Sequence, residues 1–304
     1  MKKTILAIIA SFFLITFVQA QIAQTGRLSI AVTFNAMEEL TRAVVGDLAD
    51  ISLIIPEGME PHEAEPTPQN LIFLSNADVL VYNGLGMEFY LEKTLEAVMN
   101  KNLTLVEASK GITPIKLEED NEHEEEHEGH HHHHHGTFDP HAWLSLNSAK
   151  IMVKNIEVAL SKLDKKNAKQ YSKNASQYIK KLDKLFKEYK KKFSKMKGLS
   201  LVASHAAFAY LCRDFGLLQN SIHDVFAEGE PNAKQMVELV EYCKKNNVKA
   251  IFSEELANPA LAETLSKEVG GKVIKIYTLE GKEEGLDYFS RMQENLKRIF
   301  ENIK

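Results

Sequence analysis

The alternation of short β-rich runs with amphipathic helical runs constrains the fold of this chain more than any other feature. In the first half, the pattern predicts strands at 28–33, 51–55, 79–82 and 103–106, a helix at 36–45, and helical stretches between the later strands. In the second half, it predicts strands at 199–203, 249–252 and 272–277, and helices at 206–215, 232–245, 259–269 and 286–303. Strands separated by helices favour parallel βαβ units. We therefore expect an α/β protein with two βα lobes.

A helical segment at 148–162 and a longer amphipathic segment at 164–195 separate the two halves. In the longer segment, apolar residues recur at intervals of three and four: Tyr171, Ala175, Tyr178, Leu182, Leu185, Tyr189 and Phe193. This stripe predicts one helix of roughly 30 residues, about 45 Å long. A rod of that length exceeds what one lobe needs, so we expect a long rigid helix that joins the lobes. Its many lysines indicate a solvated outer face rather than a nucleic-acid surface.

The N-terminus has the pattern of a cleavable signal peptide at 1–20. Lys2 and Lys3 precede an apolar run that ends in Val18-Gln19-Ala20. The run is shorter than the roughly 20 residues of a spanning helix, and no lipoprotein cysteine follows it. We expect a soluble periplasmic protein. Its divisions are an N-terminal lobe at 21–160 with a His/acid-rich loop at 117–136, a linking helix at 161–196, and a C-terminal lobe at 197–304.

Composition is that of an ordinary globular protein, with 44% hydrophobic residues, 26% charged residues and a formal net charge of -5. No feature of it indicates a nucleic-acid partner. The two cysteines, Cys212 and Cys243, are the only ones in the chain. In an oxidising compartment they are candidates for a disulfide. Two buried thiols are the alternative, because sequence alone does not place their Cα atoms.

Eight of the 12 histidines lie in one acid-rich tract: His123, His127, His130, His131, His132, His133, His134 and His135. A tract this dense in imidazole indicates an auxiliary, weak binding loop for divalent metal. An engineered tag is the competing interpretation, but the run is internal and has its own EHEEEHEG lead-in. Acids that merely solvate a disordered loop are compatible with metal collection. Ordering such a loop into one cage is entropically unfavourable, so we expect the defined site elsewhere.

Three of the four remaining histidines occupy positions typical of ligands. Ligand sites in open α/β sheets lie beyond the carboxyl ends of strands. His62 lies in a proline-rich loop after the second predicted strand, His141 follows Asp139-Pro140, and His205 directly follows a strand. Proline restricts the backbone and reduces the entropy lost on fixing a ligand. His223 lacks such a context, and we interpret it as structural. Imidazoles from both halves predict a metal site in the interlobe cleft.

Three motifs carry a family resemblance: GMEPHEAEPTP, DPHAWLSL, and VASHAAFAYLCRDFGL followed by Glu230-Pro231. Together with the His/acid loop before DPHAW, they resemble the ZnuA-like zinc-binding solute-binding components of ABC importers. The resemblance covers the chain from Arg27 to Lys304. It implies two α/β lobes bridged by one long rigid helix, with His62, His141 and His205 as metal ligands. It also implies a fourth ligand after a late strand, where Glu280 is a doubtful candidate and water is the alternative.

The ligand types favour zinc independently of the resemblance. Three neutral imidazoles and one oxygen suit tetrahedral Zn²⁺, whereas manganese is expected to use more carboxylate oxygen. The resemblance adds that manganese carriers tend to have an acid where His205 stands. We expect a monomeric, non-enzymatic protein that delivers Zn²⁺ to an ABC permease. We expect zinc binding to weaken as the pH falls towards and below about 6.5. The alternatives are a manganese or iron carrier, a metal-dependent adhesin, and a zinc hydrolase, which the absence of HExxH disfavours.

Overall fold

The computed structural model describes residues 26–117, 137–225, 233–254, 256–282 and 285–303. Its first lobe is a four-stranded sheet formed by β1 (Ser29–Val32), β2 (Asp50–Leu53), β3 (Val79–Tyr82) and β4 (Thr104–Glu107). Helices α1 (Asn35–Val45), α2 (Pro68–Asn76) and α3 (Leu91–Val98) lie between successive strands. All strand pairs are parallel and the strand order is β2-β1-β3-β4. The predicted βαβ pattern of the first half is confirmed.

One long helix connects the lobes. Helix α4 (Leu146–Leu163) packs on the first lobe and is capped by Asp164. The connecting helix α5 (Ala168–Lys192) follows and continues into a 3-10 turn at Phe193–Lys195. Helix α5 begins later than the sequence predicts because the Asp164 side chain accepts hydrogen bonds from the Asn167 amide and the Tyr171 hydroxyl. At 1.5 Å per residue, its 25 residues extend over about 37 Å. Helix α5 packs against α1 of the first lobe and against helices of the second lobe.

The second lobe repeats the topology of the first. Its strands are β5 (Ser200–Ala203), β6 (Leu218–Ser221), β7 (Ala250–Ser253) and β8 (Lys272–Lys275), in the order β6-β5-β7-β8 and all parallel. Its helices are α6 (Ala209–Phe215), α7 (Ala233–Lys245), α8 (Pro259–Glu268) and α9 (Tyr288–Asn302). Strand β6 was not predicted from the sequence. This strand lies at the sheet edge with an exposed leucine and three polar residues, so no apolar run indicates it.

One hydrophobic core is continuous through both lobes. Ile30 of β1 and Leu201 of β5 both point into this central core, together with residues of α4, α5 and α9. The intervening strand residues Ala31 and Val202 point to the opposite face of each sheet, where they form two smaller cores. This alternation is the two-residue period of β-strands. The lobes therefore share buried apolar packing in addition to the helix that joins them.

Cys212 and Cys243 are both free and buried. Cys212 lies in the central core, whereas Cys243 lies in the smaller core on the other face of the second sheet. The open question about pairing is thus resolved in favour of two buried thiols.

The predicted signal peptide and all eight histidines of the His/acid loop lie outside the described residues. An antiparallel bridge between Lys116 and Phe138 brings together the two chain segments that flank this loop. Within the described ranges, no helix is long and apolar enough to cross a membrane.

Candidate metal centre

Four buried side chains converge between the lobes. The Nε2 atom of His141 lies 3.0 Å from Nε2 of His62 and 3.3 Å from Nε2 of His205. Oε1 of Glu280 lies 3.6 Å from the His141 Nε2 atom and 3.8 Å from that of His62. One ligand atom from each of the four residues falls within 4.8 Å of the others. Ligands at 2.0–2.1 Å from a tetrahedral zinc are about 3.3 Å apart, so these separations suit one such ion.

His62 is positioned by a loop between β2 and α2. The backbone amide of His62 donates to the Glu60 carboxylate at 3.3 Å. The loop ends in a capping box, in which Thr67 caps α2 and Pro68 stands at its first turn. Proline suits this position because its missing amide hydrogen has no partner there in any helix. The loop therefore leads directly from a sheet edge into a fixed helix start, with His62 buried between them.

His141 is fully buried in the segment that precedes α4. Its Nδ1 atom lies 2.9 Å from Oδ1 of Asp139, which also accepts the His141 backbone amide at 2.8 Å. Asn83, just after β3, donates from Nδ2 to the Pro140 carbonyl at 2.9 Å. Trp143 packs its ring 5.0 Å from the imidazole. These contacts fix the segment and orient Nε2 of His141 towards the cluster.

His205 lies where the strand order of the second sheet reverses. It follows β5, and Glu254 follows the neighbouring strand β7. In open α/β sheets, this reversal point is the usual place for a ligand site. Oε1 of Glu254 accepts the His205 amide at 3.2 Å, and Oε2 lies 3.3 Å from Nδ1 of His205. Glu254 therefore holds the outer edge of the imidazole while Nε2 faces the cluster.

Glu280 follows β8 and is almost completely buried. The Thr278 hydroxyl donates to Oε2 of Glu280 at 2.8 Å, and the Thr278 carbonyl accepts the Trp143 indole N–H at 2.7 Å. The carbonyl of Gly281, the residue after Glu280, accepts a hydrogen bond from the fully buried guanidinium of Arg291 at 2.6 Å. Arg291 also donates to Asn35 at the start of α1. The Glu280 turn is thereby attached to the first lobe on two sides.

The three imidazoles differ in their proton affinity. Burial, followed by repulsion from the other imidazoles, lowers the pKa of His62 well below 6.5, and burial followed by His205 does the same to the pKa of His141. Burial also lowers the pKa of His205, but the charge and hydrogen bond of Glu254, aided by Glu280 and Glu60, outweigh it. The net result raises the pKa of His205 to about 9. At neutral pH, His62 and His141 are therefore neutral, whereas a metal must displace a proton from His205.

The family model described as "Zinc-uptake complex component A periplasmic" (ZnuA) matches residues 30–302, nearly the whole chain. The chain belongs to the ZnuA family.

Similar proteins support this membership. A protein from Treponema pallidum (strain Nichols) named "Putative metal-binding protein" is 42% identical over 92% of this chain and 89% of its own length. The "High-affinity zinc uptake system protein ZnuA" of Bacillus subtilis (strain 168) is 36% identical over 91% of this chain and 88% of its own. The solved structure of the Streptococcus agalactiae laminin-binding protein Lmb, described as having adhesin and metal-transporting activity, aligns with a TM-score of 0.81 and 29% identity. That alignment covers 91% of this chain and all of Lmb.

The architecture expected for a ZnuA-like chain is confirmed, with two parallel-sheet lobes, a long connecting helix and a His/Glu cluster between the lobes. The structure brings together His62, His141, His205 and Glu280, the four residues singled out from the sequence. His223, which the sequence analysis interpreted as structural, lines a cavity of about 250 Å³ beside the cluster. Glu60, Glu63 and Glu254 line the same cavity.

The residues that orient the imidazoles and the carboxylate were not predicted from the sequence. Asp139 and Glu254 contact the outer nitrogens of His141 and His205, and Thr278 contacts Glu280. Glu254 could have been predicted as a site residue, because it closely follows a predicted strand. Asp139 could also have been predicted, because it stands two residues before His141. No signal in the sequence pairs Thr278 with Glu280 in preference to other nearby polar residues.

Proposed function

We propose that this chain is an extracytoplasmic zinc-binding protein that delivers Zn²⁺ to an ABC-type membrane permease for zinc uptake. The observation that carries the proposal is the convergence of three imidazoles and one carboxylate, whose ligand atoms lie within 4.8 Å of one another, with four of the separations at 3.0 to 3.8 Å. His62, His141, His205 and Glu280 are then the four ligands of the transported ion. Family membership supports the same role, since relatives in this family are named as zinc-uptake proteins.

The donor set favours zinc over the manganese or iron alternative. Zinc accepts a four-coordinate site of imidazoles and one carboxylate, whereas manganese prefers a larger number of oxygen ligands. Asp139 and Glu254 also lie against the outer nitrogens of two imidazoles, an arrangement that increases ligand basicity. The cluster therefore supports tight binding of Zn²⁺ as cargo, and the His/acid loop adds weaker sites that raise the local zinc concentration.

A zinc hydrolase is the less favoured reading of the same residues. Catalytic zinc sites keep one coordination position open for water, whereas closed four-ligand sites bind the ion without activating a water molecule. We propose Glu280 Oε1, which lies 3.6 Å from Nε2 of His141 and 3.8 Å from Nε2 of His62, as the fourth ligand in place of water, so that no such position is left. The family is one of solute-binding transport proteins. We therefore propose that the chain is not an enzyme.

The remaining parts of the proposal concern location and organisation. We propose a cleavable signal peptide at 1–20, a monomeric periplasmic protein, lobes at 21–160 and 197–304, and a linking region at 161–196 that contains the long helix α5. A metal-dependent adhesin is the second candidate, because Lmb is described as both adhesin and metal transporter. Cell fractionation separates the two: the transport proposal expects the protein in the periplasmic fraction, and an adhesin is expected at the cell surface.

Zinc titration by calorimetry tests the proposed site. The mature chain without residues 118–135 is compared with the same chain carrying His62→Ala, His141→Ala and His205→Ala together. We expect one tight zinc ion in the first protein and none in the second. His223→Ala is the matched control, because it removes a histidine from the adjoining cavity and is expected to retain the tight ion. Absence of tight binding in the first protein would overturn the proposal.

A further inference from the structure

The two oxygens of Glu280 have different surroundings. Oε1 faces the imidazoles, at 3.6 Å from Nε2 of His141 and 3.8 Å from Nε2 of His62. Oε2 accepts a hydrogen bond from the Thr278 hydroxyl at 2.8 Å. Thr278 is fully buried and Glu280 is 4% exposed. The Thr278 hydroxyl therefore binds one oxygen of the Glu280 carboxylate, while the other oxygen faces the imidazoles of His62 and His141.

The backbone that carries the Thr278 hydroxyl is held in a defined conformation. The Thr278 carbonyl accepts the Trp143 indole N–H at 2.7 Å, which ties it to the segment that carries His141. Leu279, between Thr278 and Glu280, has a φ of 62°. Side-chain-bearing residues rarely adopt this left-handed conformation, and it persists where the surrounding structure imposes it. The Thr278–Glu280 pair is thus a fixed feature of the turn.

We propose that Thr278 determines metal specificity by restricting Glu280 to one-oxygen coordination. This inference rests on the proposed zinc site. A carboxylate can bind a metal through one oxygen or through both. With Oε2 engaged by Thr278, Glu280 supplies one oxygen and the site has four ligands, the number that zinc prefers. Without the hydroxyl, Oε2 is able to join the coordination sphere, and the added oxygen favours ions such as Mn²⁺ that take more oxygen ligands.

Two substitutions at this position separate the hydroxyl from the shape of the side chain. Thr278→Val keeps the branched shape and removes the hydroxyl, whereas Thr278→Ser keeps the hydroxyl. Each mature full-length variant is loaded with less than one equivalent of Co²⁺, which fills the tightest site first. Four-coordinate Co²⁺ absorbs visible light much more strongly than five- or six-coordinate Co²⁺. We expect the absorption to fall in Thr278→Val and to stay at the wild-type level in Thr278→Ser.

The same variants are compared in competition between Zn²⁺ and Mn²⁺. Contacts that orient metal ligands change affinity by about 10–100-fold when they are lost, so we expect the Zn²⁺/Mn²⁺ affinity ratio to fall roughly tenfold in Thr278→Val. The ratio is expected to be unchanged in Thr278→Ser. A Thr278→Val protein with the wild-type spectrum and ratio would overturn the inference. Equal loss of zinc and manganese affinity, with an unchanged cobalt spectrum, would assign Thr278 a purely structural role and overturn it as well.

X-ray absorption on the wild-type zinc-loaded protein provides a test that does not depend on the folding of any variant. We expect three nitrogen ligands and one oxygen ligand at about 2.0–2.2 Å. Two carboxylate oxygens at bonding distance would contradict the one-oxygen geometry. Failure of the underlying zinc assignment is distinguishable, because the chain without residues 118–135 would then bind no tight zinc.

Discussion

Asp139 Oδ1 lies 2.9 Å from Nδ1 of His141 and also accepts the backbone amide of the same residue. This double contact fixes both the ring orientation and the side of the ring that carries the hydrogen. With Nδ1–H directed to the carboxylate, the lone pair of Nε2 faces His62 and His205. His141 is the central member of the cluster, since its Nε2 atom is within 3.6 Å of the ligand atoms of three other residues.

Burial raises the pKa of Asp139 to about 7, so this carboxyl is ionised in solutions above that pH. There, Asp139→Asn should weaken zinc binding about 10–100-fold, because the amide no longer holds Nδ1–H with a charged acceptor. Competition titration against a chelator of known affinity measures the change. Asp214→Asn is a suitable control, since Asp214 accepts hydrogen bonds from Ser145 and Asn147 of the neighbouring segment without contacting an imidazole. Wild-type affinity in Asp139→Asn would show that this contact does not tune the site.

The protonation of His205 predicts the pH dependence of zinc binding. Its pKa is raised to about 9, so at pH 7.5 the metal-free protein carries one proton that zinc must displace. The pKa values of His62 and His141 are lowered well below 6.5, so they release none. Apparent affinity should therefore rise about tenfold per pH unit up to about 9 and then level off. The pH range over which zinc affinity changes therefore lies above the range near pH 6.5 that is expected for unperturbed imidazoles.

Calorimetry in buffers of different ionisation enthalpy counts the protons released on zinc binding. We expect about one at pH 7.5 for the wild-type protein. Glu254→Gln should release less than one, because it removes the charge that raises the pKa of His205. In the metal-free protein, the His205–Glu254 pair contributes stability that is fully present below about pH 6.5 and is lost as the pH rises through about 9. Release of three protons at pH 7.5 would contradict this assignment.

Much of the fold could be predicted because its signals are local. Strand β3 was predicted with the bounds that the structure has, since a run of apolar β-formers ends abruptly on both sides. Strand β6 was missed because it is an exposed edge with polar residues. The start of α5 was placed too early, because the Asp164 side-chain bonds that delay it involve specific geometry rather than hydropathy.

In the candidate site, too, some residues could be predicted from the sequence and others could not. His62, His141 and His205 could be singled out because each stands in a rigid loop or after a strand, and rigid backbones show in the sequence as proline or as strand ends. The contacts behind them could not be predicted. Thr278 and Trp143 are hydrogen-bonded although they are 135 residues apart in the sequence, and Arg291 and Asn35 are hydrogen-bonded although they are 256 residues apart. Such pairs depend on how the two lobes pack, which no local pattern encodes.

Trp143→Phe should destabilise the metal-free protein. The substitution leaves the buried Thr278 carbonyl without the indole N–H that it now accepts, and an unmade buried hydrogen bond costs about 1–3 kcal/mol. Loss of ring volume adds to this in the central core. Denaturant unfolding followed by circular dichroism measures the free energy of unfolding, since Trp143 is the single tryptophan in the chain. An unchanged free energy of unfolding would contradict the proposed importance of this contact.

The free thiols predict that reducing agents leave stability unchanged. Cys212 and Cys243 are buried in different cores, and burial raises the pKa of Cys243 to about 11 and that of Cys212 even further. The neutral thiol is a poor nucleophile, so both should also react slowly with alkylating reagents in the folded state. Thermal unfolding with and without dithiothreitol checks the first expectation. A midpoint that falls on reduction would indicate a disulfide.

Zinc should stabilise the folded protein strongly, because its proposed ligands come from both lobes. His62 and His141 belong to the first lobe, whereas His205 and Glu280 follow strands of the second. A ligand present at 1,000 times its dissociation constant adds about 4.1 kcal/mol to the free energy of unfolding when it binds only the native state. Thermal unfolding with excess zinc and with a chelator measures this difference. The His62, His141 and His205 triple alanine variant, also lacking residues 118–135, should show almost none of it. If that variant is stabilised as strongly as its parent, the stabilising zinc binds outside the cluster.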